Sequence, residues 1–112
     1  MKCRACAASA LLTAALNANA AYPDKPIRFV VAFAAGGSID LIARLFAQRL
    51  TDSLGQQVVV DNRPGAGGNL SAEITAKSAP DGYTIYICAP SLVVNTALYA
   101  KVGYDPVRDF AP

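Results

Sequence analysis

The chain has 112 residues, of which 54% are apolar and only 16% charged, with 8 Gly and 7 Pro. That balance excludes a disordered tail, which holds too little apolar surface to fold, and a charge-laced coiled coil. The formal charge is +2, and without Lys2 and Arg4 it is zero, so no global field draws the chain to nucleic acid or an anionic membrane. Histidine is absent, which excludes Ser-His-Asp and Cys-His catalysis and His-ligated metal sites.

The first twenty residues read as a leader. Met1–Arg4 carries two positive charges, Ala5–Leu16 runs twelve residues without charge, and Ala18-Asn19-Ala20 places small residues at a cleavage spacing. Twelve residues are too few to cross a hydrocarbon core, which needs about twenty. Cleavage before Ala21 would leave 92 residues. Cys3 and Cys6 form a C-x-x-C pair, but they precede the apolar run and are discarded with it, and no second such pair follows. Cys88 is then the sole cysteine, so an intrachain disulfide is excluded, and its apolar setting in Tyr83–Ala89 predicts burial.

Beyond Pro26, Ile27–Phe33 is nearly continuous and β-branched, as in a strand covered on both faces. Gly36-Gly37-Ser38 breaks it. From Ile39 to Leu54 the set Ile39, Ile42, Ala43, Phe46, Leu50 and Leu54 recurs at three- and four-residue steps, predicting an amphipathic helix capped by Gly55. Gln57–Asn62 is a second strand. Arg63–Gly68 is a loop, and Asn69–Ser78 a second helix with Leu70 and Ile74 on one face. Pro80-Asp81-Gly82 is a turn, Tyr83–Ala89 a third strand, and Pro90-Ser91 opens a short helix to about Tyr99. Asp105-Pro106 reads as a cap and first-turn proline. The order β-α-β-α-β predicts an α/β fold with a parallel sheet and right-handed crossovers.

Ligands of such sheets bind beyond the carboxyl ends of the strands. Three loops emerge there: Ala34–Ser38, Arg63–Gly68 and Ala89–Ser91. The first two run directly into helix N-termini, which present unpaired N–H groups and partial positive charge, and so suit a carboxylate or phosphate. Gly36-Gly37-Ser38 lacks a P-loop lysine, and Gly65-Ala66-Gly67-Gly68 reaches Leu70 where G-x-G-x-x-G needs glycine, so both nucleotide motifs fail. These glycines serve either a ligand or merely tight turns. Asp40 is a first-turn carboxylate on the dipole or the residue that orders the ligand loop. Ser38 reads as a helix cap first and a ligand contact second. Arg63 is a solvated loop residue or a carboxylate partner, and Tyr99 and Tyr104 are packing residues.

The stretches Tyr22-Pro23-Asp24-Lys25-Pro26-Ile27-Arg28, Phe33-Ala34-Ala35-Gly36-Gly37-Ser38-Ile39-Asp40, Asp61–Asn69, Ala79–Thr84 and Tyr104–Phe110 together resemble the Bug family. Its members are extracytoplasmic solute-binding receptors of tripartite tricarboxylate transporters. The resemblance implies a type II periplasmic-binding-protein fold, two α/β domains closing on a small carboxylate, with a sheet order beginning 2-1-3. Family members are far longer. Residues 21–112 would thus form an incomplete N-terminal domain, with the parallel β-α-β-α-β portion only, and Tyr83–Ala89 would have an open edge. The ligand-binding residues it implies are Phe33, Ala34, Ala35, Gly36, Gly37, Ser38 and Asp40, then Gly67, Gly68 and Asn69, then Ala89, Pro90 and Ser91. It implies binding without catalysis, no cofactor or metal, a periplasmic location, delivery of the ligand to membrane subunits of the transporter, and a monomeric full-length parent. The chain departs from the family pattern at Ala32, Ala35, Ile39, Ser71 and Cys88, of which Ser71 and Cys88 bear on local packing. Two other readings are a non-functional truncated remnant and an exported α/β enzyme using a helix N-terminus as an oxyanion site. The latter would need Asp or Glu as its base, and no G-x-S-x-G elbow is present.

Overall fold

A computed structural model describes residues 21–112; residues 1–20, on which the leader reading and the Cys3-Cys6 pair fall, lie outside the described residues. Three strands, β1 (Ile27–Val31), β2 (Val58–Asn62) and β3 (Thr84–Ile87), form one parallel sheet in the order β2-β1-β3. Helix α1 (Ser38–Leu54) crosses from β1 to β2. A 3-10 turn (Ala66–Gly68) leads into α2 (Asn69–Ala76), and α3 (Ser91–Leu98) follows β3. The sheet order and parallel sense are those expected; the strands, α2 and α3 are one to three residues shorter than expected, whereas α1 starts one residue earlier, at Ser38.

The central position of β1 explains its composition. It is bonded on both edges and covered on both faces, so Ile27, Val30 and Val31 are all at most 1% exposed. Each such side chain contributes about 1.5–3 kcal/mol of burial. On one face Ile27, Phe29 and Val31 pack with Val58 and with Ala43 and Ala47 of α1, flanked by Ile39, Leu50, Val60, Tyr83 and Ile87. On the other, Val30 lies in register with Tyr86, whose hydroxyl meets Ser71 of α2 at 3.0 Å.

The inward face of α1 is not the one the large apolar residues mark. Asp40, Ala43 and Ala47 are buried, whereas Phe46 is 59% exposed and Leu41 63%, with Ile42, Leu45 and Leu54 also exposed. Small side chains at positions 43 and 47 let the helix backbone approach the sheet, and the wide apolar surface of α1 turns outward. The same substitution of small for large holds in α2, where Asn69, Ser71 and Ala72 are buried and Leu70 is exposed. Ser71 fits because its hydroxyl donates to Gly68 O at 2.8 Å. Cys88 is exposed, not buried: the strand has ended by Ile87, one residue before it. Asp105 Oδ1 accepts from Val107 and Arg108 N–H at 2.9 and 3.0 Å, so the expected cap chemistry is present, but it closes a single turn and no helix forms there.

Enlarging the buried face of α1 should therefore be costly and trimming its outer face cheap. Ala47→Leu is expected to destabilise the chain by about 1–3 kcal/mol, and Leu45→Ala to change it by less than about 0.5 kcal/mol, both read by urea unfolding.

Candidate functional site

Parallel pairing brings the three nominated loops to one end of the sheet. Gly68 marks where the second and third meet beside the end of β1. A Cβ built there would lie 3.3 Å from Ser91 Oγ, at the start of α3, and 3.6 Å from Ala32 Cβ, at the end of β1. The chain can pass so closely only because Gly67 and Gly68 take φ of +64° and +95°, which also lets the backbone reverse into α2.

Asp40 anchors the first loop. Its Oδ2 accepts from Gly36 N–H at 2.9 Å and from Arg44 Nε at 3.0 Å, and its Oδ1 accepts from Asn62 Nδ2 at 2.9 Å. Asn62 Nδ2 also donates to Phe33 O at 3.0 Å, so β2 grips both ends of the loop. The Arg44 guanidinium first, then the Gly36 amide and Asn62, hold the Asp40 carboxyl at about 2, against an ordinary 3.8, with burial acting in the opposite sense. Of the two roles weighed for Asp40, loop ordering is thus directly built. The Gly36 amide is consumed by it. Ser38 does not cap α1: Gly37 is the cap residue, no side chain bonds the terminus, and the first helical bond runs from Leu41 N to Gly37 O at 3.0 Å. That leaves the amides of Ser38, Ile39 and Asp40 without intrahelical acceptors.

The second loop is secured from behind. Asn95 of α3, buried, donates through Nδ2 to Gly67 O at 3.0 Å and to Asn69 Oδ1 at 2.8 Å. The hydroxyl of Tyr104, also buried, lies 3.0 Å from both Asn69 Oδ1 and Leu92 O. Asn69 was nominated as a ligand contact, but its side-chain oxygen is turned inward to this network. Asn62 and Asn95 were not singled out in the sequence; an asparagine within the apolar run Leu92-Val93-Val94 onward was the available signal for the second. Tyr104 is a packing residue as expected. Arg63 Nε bonds Asp61 Oδ1 at 2.9 Å, and Arg28 grips the other carboxylate oxygen. Burial pushes the Asp61 carboxyl up, yet the Arg28 and Arg63 hydrogen bonds outweigh it and leave it lowered.

Phe33, Ala34, Ala35, Gly36, Gly37 and Ser38 line the exposed first loop, Gly67 and Gly68 the second, and Ala89, Pro90 and Ser91 the third. The third end is less open, because Leu92 N is already bonded to Ala89 O at 2.9 Å. A separate groove of about 1110 Å³ lies beside β3, lined by Thr75, Ile85, Tyr86, Leu92 and Phe110, and takes in none of the nominated residues. Among the described residues no three His, Cys, Asp or Glu side chains cluster as a metal site would require.

The lowered Asp40 value fixes a pH signature. The folded state holds the ionised carboxylate, so its stabilisation is complete above 3.8 and is lost as pH falls through about 2. Asp40→Asn should destabilise the chain at neutral pH. The wild-type-minus-variant difference in urea midpoint should shrink to nothing across that window, and slower exchange of the Gly36 amide should vanish in the variant.

The family model of the tripartite tricarboxylate transporter receptors matches residues 42–112. Protein BugT of Bordetella pertussis is 45% identical over 107 residues, covering 94% of this chain and 32% of that protein. The structure of the periplasmic binding protein BugD superposes with a TM-score of 0.77 at 41% identity, over 81% of this chain and 30% of BugD. That of MatC from Rhodopseudomonas palustris with bound malate gives a TM-score of 0.71 at 36% identity, over 81% and 31%. The chain spans about a third of the length of the relatives it matches. With most of the chain inside the family model and the same parallel α/β core as these binding proteins, it belongs to the tripartite tricarboxylate transporter receptor family.

Proposed function

We propose that this chain supplies part of the binding cleft of an exported receptor for a small carboxylate, which it passes to the membrane subunits of a tripartite tricarboxylate transporter. The observation that carries this is that the first two loops each open into a helix N-terminus at the same end of a parallel sheet, with Gly68 against Ser91 and against Ala32 at the end of β1. Such ends offer N–H donors to an anion, and a ligand carboxylate can accept from both. The malate bound to MatC belongs to the same chemical class.

The two acids beside the first two loops are already committed. Asp40 is ionised and saturated with three donors, and Asp61 is held between two arginines, so neither is available to take a proton from a substrate. The two arginines beside the loops, Arg44 and Arg63, are paired with those acids, which leaves recognition to neutral backbone donors. Residues 1–20 act as the export signal and are removed, which places the receptor in the periplasm.

Two measurements test this reading. Titrating the chain with malate should shift the amide resonances of Gly37, Ser38, Gly67 and Gly68, with affinity on the order of millimolar because one side of the ligand stays in water. A matched diol should give no shift. Gly67→Val, which forces a β-branched residue to positive φ, should abolish the response, whereas Arg63→Ala should leave it within about twofold. Malate-induced shifts confined to other residues would refute the assignment. Separately, mass spectrometry of the exported protein should find a chain beginning at Ala21; one retaining Met1 would refute the leader.

A further inference from the structure

We propose that Asn62 is a positioning residue of the carboxylate site: it turns the Ala34 amide to the ligand side of the first loop and so sets affinity without touching the ligand. The inference rests on the reading of Phe33–Ser38 as a ligand loop.

Asn62 stands on a rigid element. It closes the β1–β2 ladder opposite Val31, and its neighbour Arg63 donates its N–H to Val31 O at 2.8 Å. Strand alternation puts the Asn62 side chain on the α1 face with Val58 and Val60, and Asp61, held by Arg28 and Arg63, on the other. From there Nδ2 spends both hydrogens, on Phe33 O at 3.0 Å and Asp40 Oδ1 at 2.9 Å, while Oδ1 accepts from Arg44 Nη2 at 3.4 Å. A backbone carbonyl can only accept, so Phe33 O fixes which way round the amide lies.

The bond to Phe33 O reaches the ligand side through one peptide plane. The Phe33–Ala34 peptide is trans, so its C=O and N–H point in opposite directions. Holding the carbonyl on β2 aims the Ala34 N–H away from β2. It also turns back an oxygen that would repel a carboxylate. The bond to Asp40 fixes a second plane, Ala35–Gly36, because the other Asp40 oxygen holds Gly36 N–H at 2.9 Å. Among the described residues no other side chain bonds both Phe33 O and Asp40. An aspartate at position 62 would set a carboxylate against two oxygens, and an aliphatic residue would leave both without this donor.

Malate titration of the full chain, followed by amide resonances, tests this. In the wild type malate should shift the Ala34 amide and, by reciprocity of coupling, slow exchange of the Asn62 Nδ2 hydrogens. Asn62→Ala should weaken malate by about tenfold and, in the free chain, raise fast backbone motion at residues 34–37. Val58→Ala cuts the core at the far end of the same strand; it should lower the urea midpoint yet keep malate affinity within about twofold, which separates positioning from stability. Asn62→Asp carries a pH signature. Its new carboxylate faces Asp40, with Arg44 as the neighbouring cation, and near neutral pH it should bind as weakly as Asn62→Ala. As pH falls toward about 5 the carboxyl pair takes up one shared proton, an O–H replaces a lost donor, and affinity relative to the wild type should recover. Unchanged affinity in Asn62→Ala, an equal loss in Val58→Ala, a pH-independent Asn62→Asp ratio, or unaltered Nδ2 exchange in the wild type would each overturn the positioning role while the ligand loop stands. A wild type whose residues 34–38 ignore malate would remove the ligand-loop reading and this proposal with it.

Discussion

Two-sided parallel pairing of β1 is the constraint on which the rest of the arrangement depends. A strand bonded to β2 on one edge and β3 on the other, with helices on both faces, has no polar surface to offer, and Ile27–Val31 supplies almost none. Because all three strands run the same way, their exits lie at one end, and the loops cannot avoid one another. The close contact of Gly68 with Ser91 and Ala32 follows from that geometry. The backbone segments at this end are near one another only because the sheet is parallel.

The strand-to-helix rhythm was legible in the sequence because β-branched runs and glycine breaks are local signals. The strand starting at Ile27 (though it ends at Val31, not Phe33), the Gly36-Gly37 break and the Gly55 cap read correctly for that reason, and Gly55 does adopt φ +67° with its N–H on Thr51 O. The rotation of α1 was not legible. Phe46 and Ile42 outweigh Ala43 and Ala47 on any hydrophobic scale, yet close packing selects by size as well as by polarity, and a helix lying near a sheet needs alanine at the contact. Cys88 was misplaced because the apolar run Tyr83–Ala89 does not mark where the strand stops, and it stops at Ile87.

Within the loops, the sequence identified the glycines and Asp40 but not what restrains them. Asn62 acts across twenty-two residues on Asp40, and Asn95 across twenty-eight on Gly67, separations at which sequence pattern carries no signal. Ser38 was read as a cap because Ser at a helix start commonly is one, but the cap position falls one residue earlier, on Gly37. The consequence is favourable for a ligand: a side-chain cap would have occupied an N–H that the glycine leaves open.

That division of labour explains why amides, not ions, stand behind the second loop. Gly67 and Gly68 gain their approach distance from conformational freedom, and the same freedom would let the loop wander unless its carbonyl side were fixed. A charged residue in the place of Asn95 would be buried beside the Gly67 carbonyl and Asn69 and would bear the desolvation cost of an ion. A neutral amide supplies two hydrogens at that point, both used, to Gly67 O and Asn69 Oδ1. The Gly67 carbonyl is thereby satisfied by the protein, and within the turn Gly68 N–H bonds Gly65 O at 2.9 Å and Asn69 N–H bonds Ala66 O. The first loop reaches the same end by an ionic route. There the Asp40 carboxylate takes the Gly36 N–H, and Arg44 at the solvent edge neutralises it without deep burial of the guanidinium. Two loops with different restraints are thus each fixed from the protein side, with neighbouring side-chain charges already matched.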